Sequence, residues 1–201
     1  MSNIIPVIEP TMVLNEEICK SNIARMAQKA KAAGVTFRPH FKTHQSREIG
    51  EWFRASGVEK ITVSSLNMAM KFAEWGWNDI TVAFPVNCLE HEKINALASK
   101  IRLNLLLVHS EGARQLSECL KYPVGVYLGV DTGYHRDGVD ANNYEKIDRI
   151  INIVAPDVNI KFEGFLTHAG HTYHARSKEE IMQIHKDNLQ KMKNIKERYI
   201  D

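Results

Sequence analysis

The sequence predicts an α/β fold in which helices cover a parallel sheet. Short apolar segments with strand composition alternate with segments whose apolar residues recur at the helical period. Six predicted strands follow this alternation, which is typical of parallel strands joined by right-handed crossovers. No glycine-rich turn follows an early strand, which favours a TIM-type (β/α) barrel over a doubly wound sheet. A closed barrel has eight strands over about 250 residues, so this sequence predicts an incomplete one.

The predicted elements follow one another without a linker, so residues 1–201 are expected to form one partial barrel domain. A short strand at 11–14 precedes a helix that Asn15 caps and Gly34 ends. The strands of the sheet are expected at 35–42, 60–64, 79–86, 102–109, 124–130 and 160–167. A helix that carries Ile49, Trp52 and Phe53 is expected to end at Gly57, and a helix that carries Met68 and Phe72 is expected to end at Gly76. The remaining helices are expected at 88–99, after the cap Ser110 and including Leu120, at 140–154, and from Ser177 to the chain end.

Charge, hydropathy and cysteine content indicate which partners and which location to expect. The net charge is +2 with both signs interspersed, which argues against a nucleic-acid or membrane partner. No apolar run approaches the roughly 20 residues of a membrane span, and the N-terminus lacks the features of a signal peptide. Three widely spaced cysteines without a CxxC pair predict free thiols and a cytoplasmic location.

Polar side chains collect after the carboxyl ends of the predicted strands. In a barrel the active site lies at these ends, whereas the opposite ends here carry ordinary surface residues. The residues at the carboxyl ends are Lys42, Thr43, His44, Ser64, Ser65, Asn87, His109 and the segments 131–138 and 167–174. This one-sided distribution predicts a catalytic barrel independently of any family.

The segment from Arg38 to His44 carries the strongest chemical signal. If it continues as a strand, His40, Lys42 and His44 point to the same face because side chains alternate along a strand. Burial or neighbouring positive charge lowers the pKa of a lysine, and such a lysine forms Schiff bases with aldehydes. The alternative is a surface lysine in a basic loop.

The motif Arg-Pro-His-x-Lys-Thr-His resembles the cofactor-lysine motif of the D-threonine aldolase and D-serine dehydratase-like family. These are pyridoxal-phosphate enzymes with the alanine racemase N-terminal barrel (fold type III). The resemblance implies that Lys42 binds the cofactor as a Schiff base and that His40 lies beside it. It also implies that His44 or the freed Lys42 acts as a base. The family often has a lysine where this chain has Gln45.

Two further segments resemble the family. Asp131-Thr132-Gly133-x-x-Arg136-x-Gly138 matches a motif of the alanine racemase fold, which implies that Arg136 lies near the phenolic oxygen of the cofactor or the substrate carboxylate. Asp131 is expected to support the turn rather than react. After the last strand, the resemblance implies that His168 and Tyr173 contact the cofactor ring and that His171 faces the substrate. A structural role is the alternative for each histidine.

The resemblance implies an enzyme acting on D-amino acids, by aldol cleavage or by dehydration. The chain corresponds to about the first half of a family member, whose later part supplies the phosphate site and, in these branches, ligands for a divalent metal. The full-length protein is expected to be a homodimer. Alternatives are an amino-acid racemase, a non-catalytic pyridoxal-phosphate homeostasis protein, and a metal-dependent barrel hydrolase that uses His168, His171 and His174.

Overall fold

The computed structural model describes residues 8–199 and divides into two units. One unit comprises the residues up to Arg38 together with Ser46–Val58, and the other comprises Pro39–Gln45 together with the chain from Glu59 onward. Among the described residues, no helix is long and apolar enough to cross a membrane.

The first unit contains two helices, α1 (Glu16–Ala32) and α2 (Arg47–Ala55). Asn15 caps α1 as predicted, because its side chain accepts a hydrogen bond from the backbone of Ile18 at 2.9 Å. Lys20 of α1 lies 5.1 Å from the ring centre of Trp52 in α2. The predicted strand at 11–14 is wrong: these residues are irregular and exposed, so no partner strand supplies the hydrogen bonds that a strand needs.

The second unit is a six-stranded parallel sheet with helices between the strands. The strands are β1 (Ile61–Val63), β2 (Asp79–Pro85), β3 (Arg102–Leu107), β4 (Val124–Asp131), β5 (Val139–Asp140) and β6 (Ile160–Thr167). The helices are α3 (Leu66–Glu74), α4 (His91–Ala98), α5 (Ser110–Cys119), α6 (Tyr144–Val154) and α7 (Lys178–Tyr199). Strands β1 to β4 pair in sequence order, and β6 pairs with β4. The predicted parallel α/β sheet of about six strands is therefore confirmed.

The set of six strands differs from the predicted one at two places. Residues 35–42 do not form a strand, and only His40 makes an isolated parallel bridge, to Thr62. Residues Phe41–Thr43 form a 3₁₀ turn instead. The sixth strand is the short β5, which pairs with the last two residues of β4 where a helix was predicted to begin. Helix α6 begins later, at Tyr144, after its cap Asn143.

Most predicted helix ends agree with the structure, but one helix has a different N-cap residue from the predicted one. Helix α5 is capped by His109 rather than by Ser110, because the Nδ1 atom of His109 accepts a hydrogen bond from the backbone of Gly112 at 2.8 Å. Gly76 follows α3 with a φ of 85°, in the left-handed conformation that a helix end favours. Helix α7 extends to Tyr199, and the last two residues of the chain lie outside the described part.

A network of charges lies at the amino ends of the strands. Arg102 at the start of β3 binds both carboxylate oxygens of Glu163 in β6, at 3.0 and 2.9 Å. Asp79 at the start of β2 accepts a hydrogen bond from the buried Asn104 at 3.2 Å. The residues at these strand ends were expected to be ordinary surface residues, but the carboxylate of Asp79 is part of this network. The amino end of the sheet is thus held together by ion pairs and hydrogen bonds.

Candidate active site

The candidate site is built from three segments at the carboxyl edge of the sheet. They are the 3₁₀ turn Phe41–Thr43, the loop 131–138 between β4 and β5, and the 3₁₀ segment Gly170–His174 after β6. The carboxyl ends of parallel strands meet at one edge of a sheet, so these segments come together although they are far apart in sequence. All of them belong to the second unit.

Lys42 is exposed on a turn that its neighbour anchors. Phe41 is fully buried, and its ring centre lies 5.1 Å from that of Phe72 and 5.1 Å from that of Trp77. The carbonyl of Pro39 accepts a hydrogen bond from the backbone of Thr62 at 2.8 Å, which ties the turn to β1. The turn therefore holds the backbone of Lys42 in place while its amine reaches into solvent. The predicted strand geometry around Lys42 is wrong, because the aromatic anchor requires a turn.

His40 supports the lysine turn with both ring nitrogens. Its Nδ1 atom accepts a hydrogen bond from the backbone N–H of Lys42 at 3.3 Å, and its Nε2 atom lies 3.5 Å from the hydroxyl of Ser64. Burial, together with the smaller effects of the charges of Lys42 and His168, lowers the pKa of His40 to about 4. The ring is therefore neutral near pH 7, with its proton on Nε2.

His44 takes a different place from the one expected for it. Its ring packs edge-on against Phe41, with 4.5 Å between the centres, and lies 6.3 Å from that of Phe72. Its backbone N–H donates to the carbonyl of Phe41 and ends the turn. His44 thus contributes to the aromatic anchor, whereas the expected alternation would have placed it beside Lys42.

The loop 131–138 is folded around the carboxylate of Asp131. The Oδ1 atom accepts hydrogen bonds from the backbone N–H groups of Gly133, Tyr134 and His135 at 2.9, 3.0 and 3.0 Å. Burial raises the pKa of Asp131, but the hydrogen bonds from Gly133 and His135 and the charge of His135 outweigh it, and the pKa is lowered overall. Asp131 supports the loop, as the sequence predicted.

Arg136 projects from this loop beside an aromatic ring and an acid. Its Nε donates to the carboxylate of Asp137 at 2.8 Å, and its guanidinium carbon lies 5.9 Å from the ring centre of Tyr134. Arg136 is partly exposed, with a side-chain exposure of 43%. The guanidinium is a fixed positive charge at the edge of the site.

Tyr134 is the centre of an aromatic cluster that the sequence did not reveal. Its ring centre lies 5.5 Å from that of His168, 6.4 Å from that of His171 and 6.2 Å from that of Tyr173. A Cβ atom on Gly170 would lie 2.4 Å from the Tyr134 ring, so only glycine permits this contact. The structure thus brings His168, His171 and Tyr173 together around a residue that no motif had identified.

The charged side chains that act on His168 are mostly positive. Burial lowers the pKa of His168, and the positive charges of Arg136 and Lys42 lower it further, while Asp137 raises it. Two cations and one carboxylate therefore lie close enough to act on this imidazole. A site with this excess of positive charge favours an anionic ligand.

The remaining contacts hold the loop in place. Lys191 of α7 donates to the carbonyl of Thr132 at 2.8 Å, and the hydroxyls of Thr132 and Thr167 lie 3.0 Å apart. The Nδ1 atom of His171 is buried and has no hydrogen-bond partner among the described residues.

Within residues 8–199, no group of three or more His, Cys, Asp or Glu side chains could hold a metal ion. His168, His171 and His174 therefore do not assemble into the metal site of the hydrolase alternative.

The state of His40 gives a pH-dependent contribution to stability. The unfolded chain binds a proton on this histidine below about pH 6.5, whereas the folded protein does so only near pH 4. The contribution of His40 to the free energy of unfolding is therefore fully present above pH 6.5 and is lost as the pH falls through 4. This contribution is about 1 to 2 kcal/mol once solvent screening of the half-buried ring is included. In urea unfolding at several pH values, lowering the pH should reduce the free energy of unfolding less in His40→Gln than in wild type. The exposed-site control His185→Gln should follow the wild type.

Comparison with known proteins identifies the family. A family model described as the alanine racemase N-terminal domain matches residues 15–200. The chain belongs to this family. The alanine racemase N-terminal domain accounts for the parallel sheet, and the family expected from the sequence motifs is confirmed.

Individual relatives are enzymes named for D-amino acids. The chain is 34% identical over 181 residues to a D-threo-3-hydroxyaspartate dehydratase from Delftia sp. (strain HT23), covering 87% of this chain and 47% of the relative. It is 28% identical over 190 residues to a D-serine dehydratase from Dictyostelium discoideum, covering 87% of this chain and 48% of the relative. The structure of the Delftia enzyme superimposes with a TM-score of 0.80 at 28% identity, over 87% of this chain and 47% of that one. The chain thus spans about half the length of these relatives.

Proposed function

We propose that the protein is a pyridoxal-phosphate-dependent lyase that acts on β-hydroxy D-amino acids, with Lys42 as the amine that binds the cofactor aldehyde. The observation that carries this proposal is the grouping at the carboxyl edge of the sheet: the exposed amine of Lys42 on an anchored turn and the guanidinium of Arg136 both act on His168, which lies beside the ring of Tyr134. The names of the relatives, a D-threo-3-hydroxyaspartate dehydratase and a D-serine dehydratase, support the substrate class.

The residues fit pyridoxal phosphate by their chemistry. The cofactor is an aldehyde on a flat aromatic ring with negatively charged oxygens. An amine suits the aldehyde, the positive charges of Lys42 and Arg136 suit the anionic oxygens, and the rings of His168 and Tyr173 offer aromatic surface. The unpartnered Nδ1 atom of His171 adds a polar group that a ligand or water would satisfy.

When bound, the cofactor supplies an electron sink that stabilises negative charge on the substrate α-carbon. The chain contributes positioning and proton transfer. The anchored turn presents the Nζ atom of Lys42, which would hold the cofactor aldehyde and, when free, would carry a proton as a base. Arg136 binds an anionic oxygen without itself losing a proton. His171, which the aromatic cluster holds beside Tyr134, is the candidate for a second proton carrier.

Other expectations from the sequence accompany this proposal. A divalent metal held by later parts of a full-length protein, a homodimer, and a cytoplasmic location remain predictions. Dehydration and aldol cleavage differ in which bond breaks next to the same α-carbon, so the cluster around Lys42 serves either reaction.

Product analysis with matched enantiomers tests the proposal. The purified protein with pyridoxal phosphate is supplied with D-threo-3-hydroxyaspartate, D-serine and D-threonine, each beside its enantiomer. Dehydration releases ammonia and a 2-oxo acid, whereas aldol cleavage releases glycine and an aldehyde. We expect one of these product pairs from a D-substrate alone. Formation of the opposite enantiomer without release would instead identify a racemase, and cofactor binding without any product would identify a non-catalytic carrier.

A further inference from the structure

We infer that Asp137 is a positioning residue that orients Arg136 toward an anionic oxygen of the ligand, an inference that rests on the proposed function. The pair consists of two neighbours in the loop 131–138, joined by a hydrogen bond of 2.8 Å from the Nε of Arg136 to the Oδ2 of Asp137. Neither the alanine racemase motif nor the strand pattern assigns a role to residue 137.

The backbone under Asp137 is rigid on both sides. On one side, three backbone N–H groups bind the carboxylate of Asp131. On the other side, Gly138 has a φ of 100°, and a Cβ atom there would lie 2.8 Å from the backbone nitrogen of Asp131. The short side chain of Asp137 therefore has a defined position, whereas Arg136 is long and has many rotamers. A fixed acid beside a flexible guanidinium restricts the orientation of that guanidinium.

The hydrogen bond uses one edge of the guanidinium and leaves another available. Among the described residues, Arg136 makes no hydrogen bond besides the one from Nε. Its two terminal nitrogens, which carry four of its five N–H donors, remain available for a ligand. A planar fork of this kind matches a carboxylate, or a phenolate with a neighbouring oxygen. Asp137 thus engages Nε without occupying the binding edge.

The alternative is an ordinary surface ion pair, which contributes little to stability. Three observations favour positioning. The guanidinium lies over the ring of Tyr134, the centre of the aromatic cluster, at 5.9 Å. Arg136 and Asp137 also act with opposite sign on the pKa of His168, which shows that both charges lie beside the site. Asp137 is itself only 23% exposed, so its charge faces the protein more than the solvent.

The first test uses the cofactor-free protein and nuclear magnetic resonance of the arginine Nε–H groups. The signal of Arg136 is assigned by its loss in Arg136→Lys. In wild type, hydrogen bonding to Asp137 should slow its exchange with water, and Asp137→Ala should accelerate exchange about tenfold or more. Asp140→Asn, which changes a nearby exposed acid, serves as the matched control and should leave the rate unchanged. Equal exchange in wild type and Asp137→Ala would overturn the inference.

The second test is a double-mutant cycle with pyridoxal phosphate as the probe, its binding followed by absorbance. If Asp137 acts through Arg136, Asp137→Ala should weaken binding about tenfold in the wild-type background and have no effect in Arg136→Met. Asp137→Asn, which keeps an acceptor but loses the charge, should lie between wild type and Asp137→Ala. The same loss in both backgrounds, or no loss in either, would contradict positioning.

The two tests separate this inference from the proposed function. If wild type binds no pyridoxal phosphate but Asp137→Ala still accelerates exchange at Nε, the proposed function fails while Asp137 still orients the guanidinium. If wild type binds the cofactor through Lys42 and the double-mutant cycle shows no coupling, the function holds and the positioning role is wrong.

Discussion

Replacing Lys42 by arginine should abolish covalent attachment of pyridoxal phosphate and reduce turnover of a D-substrate by at least about a thousandfold. Arginine keeps the positive charge, but its guanidinium does not condense with an aldehyde in the way an amine does. Because the buried side chain of Phe41 and the backbone bond from Thr62 to Pro39 anchor the turn, the exchange of an exposed side chain should leave the fold intact. Turnover and borohydride-stable cofactor incorporation are measured together.

The control for this variant is Lys186→Arg, which makes the same chemical change on the exposed surface of α7. It should retain both cofactor attachment and turnover. Full activity in Lys42→Arg would show that another amine holds the cofactor, and equal losses in both variants would show that lysine exchange harms the protein in general.

Replacing Gly138 by alanine should destabilise the protein by about 2 to 4 kcal/mol and remove Arg136 from its orientation. Two costs combine at this position. The φ of 100° is strained for a residue with a Cβ atom, and that atom would lie 2.8 Å from the backbone nitrogen of Asp131 and 2.9 Å from the carbonyl carbon of Val130. Backbone atoms at the end of β4 cannot move aside as a flexible side chain can. Urea unfolding measures the loss.

Gly133→Ala provides a matched control within the same loop. Gly133 also has a positive φ, of 132°, but the nearest atoms to its Cβ position are 3.9 Å away, on His171 and Lys191. This variant therefore reports the backbone strain without the clash, and we expect a loss of about 1 to 2 kcal/mol. A loss at Gly138 no greater than that at Gly133 would show that the end of β4 yields more readily than the structure implies.

The regular elements were the part that the sequence could predict. Helix α1 begins after Asn15 and α3 ends before Gly76 because capping and left-handed glycine depend on local chemistry. The strand predicted at 35–42 was wrong because a segment of strand composition needs a partner strand along its length, and in this segment only His40 pairs, with Thr62. Strand β5 was missed since two residues are too short to leave a pattern.

In the site, too, residues within sequence motifs could be predicted, whereas residues placed by tertiary contacts could not. Motifs pointed to Lys42 and Arg136, and the structure brings both within electrostatic range of His168. The role of Tyr134 could not be predicted, because it depends on the close approach of Gly170, 36 residues later by sequence number. The predicted position of His44 was wrong because side chains do not alternate within a turn as they do along a strand. Charge, burial and aromatic contact were decided by packing rather than by spacing.

The most direct test of the central claim is to identify the lysine that pyridoxal phosphate modifies. The wild-type protein is incubated with the cofactor, reduced with borohydride, digested and mapped by mass spectrometry. Lys42 is an exposed amine with positive charge nearby, so we expect a phosphopyridoxyl adduct confined to the peptide that contains it. Modification spread over many surface lysines, or absent altogether, would contradict the assignment of Lys42 as the cofactor lysine.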